Sequence, residues 1–85
     1  MNASHDLLFQ VFDAARRAGM VRRQAFTAKD QFICGAVTVE QDRDGSLTLV
    51  TPAGRVSSAA ELRDAVTQYR PVLEPQLHAL STAGR

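Results

Sequence analysis

The sequence predicts a small α+β domain of order αββαα, with one antiparallel hairpin packed on three helices. Three observations lead there. Near the N-terminus Leu8, Val11, Phe12 and Ala15 recur at helical spacing. In the middle, two segments alternate apolar and polar residues on either side of an Asp-Gly turn. A capped helical pattern then follows, and two prolines interrupt its continuation.

The first helix is expected over about residues 4–18. Ser4 is placed as N-cap, and Asp6 lies where the helix dipole favours an acid. Leu7, Ala14 and Ala18 widen its apolar face, and Arg16 and Arg17 suit its C-terminal end. Gly19 offers a left-handed residue just past the end, with Met20 folding back as its apolar contact. Residues 20–31 show no clean period and read as a loop, a short strand or one helical turn.

The hairpin is expected over about residues 32–51. Ile33, Val37 and Val39 read as one face of its first strand, with Thr38 and Glu40 on the other. Leu47 and Leu49 alternate with Thr48 and Val50 in the second. A two-residue Asp44-Gly45 loop would set Glu40 against Leu49 and put the apolar faces in conflict. A three-residue loop of Arg43, Asp44 and Gly45 sets Val39 opposite Leu49 and places Gly45 in the left-handed position such loops need. Gly35 marks a bulge or a close backbone approach. Thr51-Pro52-Ala53-Gly54 reads as the turn that ends the hairpin.

Ser58 and Glu61 form a capping box that opens a helix over about residues 58–70, through Leu62, Ala65, Val66 and Tyr69. Pro71 ends or kinks it, because the residue before a proline is biased away from helical dihedrals. If Pro71 instead started the next helix, Pro75 would sit just past its first turn. A short last helix over about residues 75–82, presenting Leu77 and Leu80, is therefore expected. A lone two-stranded hairpin cannot hold both edges closed, so its strands are expected to present unpaired main-chain groups.

With 85 residues the chain supports a single core. A formal net charge of +1 is far from that of a typical nucleic-acid binder, so nucleic acid is not the expected partner. The charge is uneven, however. Arg16, Arg17, Arg22, Arg23 and Lys29 share a stretch without acids, whereas 30–44 holds four acids and one arginine. Such a dipolar surface steers protein partners, and a second copy of the chain is an allowed one. The basic stretch is the alternative site, for DNA. One cysteine, Cys34, excludes an intramolecular disulfide and suits a reducing cytosol. The N-terminus has no signal-peptide pattern and no stretch nears 18 apolar residues, so a cytoplasmic location without membrane attachment is expected.

No catalytic or metal constellation is legible. Cys34, His5 and His78 are single and scattered, so no metal, cofactor or enzymatic activity is expected. Asp42-Arg43-Asp44-Gly45 lacks the first acid of a calcium loop, and Thr51 stands where its bidentate glutamate would be.

The run Gly45-Ser-Leu-Thr-Leu-Val-Thr-Pro-Ala-Gly54, then Val56, the capped helix and Tyr69-Arg-Pro-Val-Leu73 carry a resemblance, joined by Leu7-Leu8 and Arg16-Arg17-Ala18-Gly19. Together they resemble the N-terminal docking domains of hybrid nonribosomal peptide–polyketide synthetases, of the tubulysin-synthetase type. The likeness covers about two-thirds of the chain. It departs at the longer 20–31 segment and at Pro75. Such domains precede a catalytic module, so the chain reads as an excised domain or a free-standing relative.

The resemblance implies a non-catalytic docking module that accepts a C-terminal peptide of another subunit by strand addition. Carried over by position, Ser46 to Thr51 would be the receiving strand, with Thr48 and Val50 facing away from the helices. Arg55 and Arg43 would meet acids of the peptide. Two rivals differ in kind. One is a small phage or mobile-element protein that blocks a host enzyme with its acidic hairpin tip. The other is a small DNA-binding accessory factor using Arg16 to Lys29.

Overall fold

A computed structural model describes the backbone of residues 3–83 and the side chains of 6–82. It is an α+β fold with helices α1 (Ala3–Arg17), α2 (Ala59–Gln68) and α3 (Arg70–Ala83). Between α1 and α2 run five strands: β1 (Arg22–Arg23), β2 (Asp30–Cys34), β3 (Val37–Gln41), β4 (Leu47–Thr51) and β5 (Gly54–Val56). They form one antiparallel meander in the order β1-β2-β3-β4-β5. The single expected hairpin is thus the centre of a larger sheet.

The helix α1 forms where its apolar spacing places it. Leu7, Leu8, Val11, Phe12, Ala14 and Ala15 are all buried. Ala3 already opens the helix, so Ser4 stands inside it and is not its N-cap; the side chains of Ser4 and His5 lie outside those described. The helix ends at Gly19, whose φ of 75° lets its N–H reach Arg16 O and the Met20 N–H reach Ala15 O. Met20 does not fold back as expected; it stays 53% exposed.

The β3–β4 loop has the expected register. Val39 pairs with Leu49, Asp42 N donates to Ser46 O at 3.0 Å, and Gly45 has φ 91°. The first strand is corrected. Gly35, with φ 59°, is no bulge: it opens a two-residue turn with Ala36 and splits the expected strand into β2 and β3. Ile33 therefore lies on β2 opposite Thr38, on the other face from Val37 and Val39. The Pro52-Ala53 turn likewise does not end the sheet but leads into β5.

All three helices cover one sheet face. Phe32, Cys34, Val37, Val39, Leu47 and Leu49 meet Leu8, Val11, Phe12, Leu62, Val66, Leu73 and Leu80 in a single core. Each fully buried Leu, Val or Phe side chain contributes about 1.5–3 kcal/mol. Ser58 caps α2 by accepting from Glu61 N, as the capping box requires. The last helix does not wait for Pro75. It starts at Arg70, directly after the Tyr69 cap, and carries Pro75 inside it. Pro71 stands in the first turn, where no N–H is needed, and Leu73 and Leu80 are the residues it buries.

Candidate functional site

The sheet face away from the helices is bare of other elements, and the register sets its residues in two rows. One row is Ile33, Thr38, Val50 and Arg55; the other is Arg22, Gln31, Glu40 and Thr48. Glu40 is only 3% exposed on this open face. Its carboxylate accepts from the Arg55 guanidinium on one oxygen and from Gln31 Nε2 on the other. Arg55 spans β4 to reach it, so one ion pair ties the edge strand β5 to the centre of the sheet.

The expected receiving strand is a correction. β4 is interior, with β3 on one side and β5 on the other over Leu49–Thr51. An open edge along Leu49 to Thr51 is excluded, because the chain folds its own next strand onto it. Covering is nevertheless incomplete. Main-chain groups alternate sides along an antiparallel strand. Since Asp42 and Ser46 bond across β3–β4, Ser46, Thr48 and Val50 point toward β3, and Leu47, Leu49 and Thr51 toward β5. β5 stops at Val56 opposite Leu49. The N–H and C=O of Leu47 therefore face a side where no strand lies.

Beside that gap the chain leaves the sheet through Ser57 and Ser58 to enter α2. The departure opens a pocket of about 200 Å³ lined by Leu8, Phe9, Ser46, Leu47, Ala59 and Leu62. By register, a residue opposite Leu47 would direct its side chain to the helix side, as Val56 does opposite Leu49. The pocket is the space that such a side chain would fill.

The structure brings together some of the sequence-derived site residues and separates others. Thr48, Val50 and Arg55 share the open face, although Thr48 is buried beside Glu40. Ser46 lies at the pocket, its hydroxyl donating to Asp44 Oδ1 at 2.7 Å. Thr51 lies on the helix side and serves its own turn, accepting from Ala53 N and donating to Gly54 O. Arg43 is an exposed residue of the β3–β4 loop, at the Ser46 end of the hairpin and away from Arg55. Glu40, Gln31 and Phe9 were not singled out. Phe9 had a signal: it is a large apolar residue on the polar side of an otherwise amphipathic helix, and it is left 48% exposed.

The basic stretch is partly neutralised. Arg16 and Arg23 both bind Asp30 (3.1 and 3.2 Å), Arg17 binds Asp13 (2.8 Å), and Lys29 meets Asp42 (3.3 Å). Bonds from Arg16, then Arg23, hold the Asp30 carboxyl below its usual range. Arg22 alone of the five has no carboxylate partner among the described residues. Asp30 is shared by two of these cations, so three carboxylates face the five basic residues.

Cys34 is buried, and desolvation raises its thiol pKa, which disfavours the reactive thiolate. Among the described residues no three His, Cys, Asp or Glu side chains gather as a metal site. No helix is long and apolar enough to cross a membrane. No known protein family, curated protein or solved structure matches the chain.

Proposed function

We propose that the chain is a non-catalytic protein-docking module that receives a short extended peptide of another protein where β5 stops short on β4. The observation that carries the reading is the coincidence, at Leu47, of main-chain groups facing an unoccupied side and an apolar pocket of about 200 Å³. A peptide residue there exchanges main-chain bonds with Leu47 and places one aliphatic side chain among Leu8, Phe9 and Leu62. Arg55, half exposed and aimed by Glu40, attracts an acid at the end of the peptide that abuts β5. The synthetase docking domains that the sequence resembles supply the partner class: the tail of another subunit.

With one main-chain pair and one anchor, the expected affinity is on the order of 10 μM, about −7 kcal/mol. The test is an amide-shift titration with a hexapeptide of alternating leucine and aspartate. Shifts are expected at Ser46–Thr48, Ser57 and Ala59, and Ala59→Leu, which fills the pocket, should abolish them. Shifts confined to Arg16–Lys29 would instead favour the basic-stretch reading.

A further inference from the structure

The opposite edge of the sheet carries a second, independent set of observations. Among the described residues four large apolar side chains are exposed, and three of them, Met20, Phe26 and Ile33, belong to this edge. Ile33 is 69% exposed and Phe26, on the β1–β2 loop, is 99% exposed. The loop is not a loose excursion. Gln24 N donates to Lys29 O and Ala28 N to Gln24 O (both 2.9 Å), while Thr27 Oγ1 donates to Gln24 Oε1. Ala28 holds a φ of 56°, unfavourable for a residue with a side chain.

The main chain at Ile33 is also open. β1 pairs with β2 only at Gln31 and Asp30, so by alternation the next outward-facing residue is Ile33. The residue that would face it, Met20, has its N–H committed to Ala15 O at the end of α1. At the end of this open stretch stands Arg22, the one member of the basic segment without a carboxylate partner among the described residues.

We propose that the Phe32–Cys34 edge of β2 is a second docking site, which takes the carboxyl-terminal end of an extended, apolar protein segment and makes the chain a two-sided adaptor. Polarity decides the orientation. A strand antiparallel to β2 and in line with β1 runs from Cys34 toward Phe32, so its C-terminal carboxylate arrives at Arg22. A parallel strand would bring an ammonium group there and be repelled. The residue opposite Ile33 exchanges both main-chain bonds, and its side chain packs on Ile33 on the open face. A second copy of the chain fits poorly, because two-fold pairing at Ile33 would put Gly35 of each copy where Arg22 of the other already stands beside Gln31.

The test uses a pentapeptide of alternating valine and threonine, as free acid and as C-terminal amide. The free acid should shift the amides of Met20–Arg22 and Phe32–Cys34, and amidation should weaken it about tenfold. In Arg22→Gln the acid and amide should bind alike, and Ile33→Thr should weaken both while the fold, followed by circular dichroism, is unchanged. These amides are remote from Ser46–Thr48 and Ser57, so failure here is distinguishable from failure of the Leu47 site. An undiminished acid–amide difference in Arg22→Gln would overturn the proposal. So would the absence of shifts at Phe32–Cys34 at millimolar peptide, dimerisation by sedimentation that Ile33→Thr abolishes, or Phe26-dependent binding to phosphatidylserine vesicles without peptide binding.

Discussion

At the scale of single residues, Glu40 and Arg55 show how a surface expectation changes once the sheet is assembled. Glu40 reads in sequence as an outward polar residue of a strand, and its direction is indeed away from the helices. It is buried because Arg55 and Gln31 close over it. Removing one member of a buried ion pair leaves the other charge uncompensated, which costs more than the pair contributes. Breaking a fully buried pair costs about 3–5 kcal/mol, and since Arg55 is itself half exposed, Arg55→Ala should destabilise the fold by about 2–3 kcal/mol. The double variant Arg55→Ala, Glu40→Gln should regain more than half of this in urea unfolding; an additive loss would show that the pair is not coupled. Arg55→Glu should be worse than Arg55→Ala, because it sets a second carboxylate against a buried one.

At the scale of elements, α3 is the clearest instance of tertiary contacts overriding a local signal. Pro75 lacks the N–H that would bond Pro71 O, and its ring crowds that carbonyl. Local rules therefore favour starting the helix at Pro75. Starting at Arg70 instead lets Leu73 join Leu80 in the core two turns apart, and a fully buried leucine contributes about 2 kcal/mol. That gain offsets the lost bond. Pro75→Ala restores the bond at an exposed position, so it should stabilise the protein by about 1 kcal/mol or more, read as a higher melting temperature. A lower melting temperature would mean that Pro75 bounds the helix after all.

At the scale of the whole molecule, charge ties the β1–β2 hairpin to α1 alongside the buried contacts of Phe32 and Cys34. Asp30 joins Arg16 of the helix to Arg23 of the edge strand, and Arg16 also donates to Gln41 at 2.8 Å. Arg16 lies over the Phe12 ring as well, at 5.2 Å. Because the folded-state pKa of Asp30 is depressed, its contribution is fully present above the unfolded value of about 4 and is lost as pH falls through the folded value. Acidification below about pH 4 should therefore weaken the wild type more steeply than Asp30→Asn, with faster amide exchange first at Arg22–Arg23 and Asp30–Gln31. Equal slopes for the two proteins would remove Asp30 as the tie.

The sequence by itself determined the three-helix, antiparallel character of the fold, the α1 and α2 boundaries to within two residues, the Gly19 and Ser58 caps and the Val39–Leu49 register. Each of these rests on short-range physics: helical period, a capping side chain, a left-handed glycine, a turn that admits one register. Only the tertiary structure decided which strands are edges. β1 and β5 are two and three residues long, too short to show a period of two, and they exist because neighbouring strands offer them main-chain partners. The candidate site followed the same division. Arg55 was legible as an exposed cation after the turn. The pocket at Leu47, the buried Glu40 and the open edge at Ile33 were not, because each depends on where a strand stops relative to another, which no local pattern of side chains encodes.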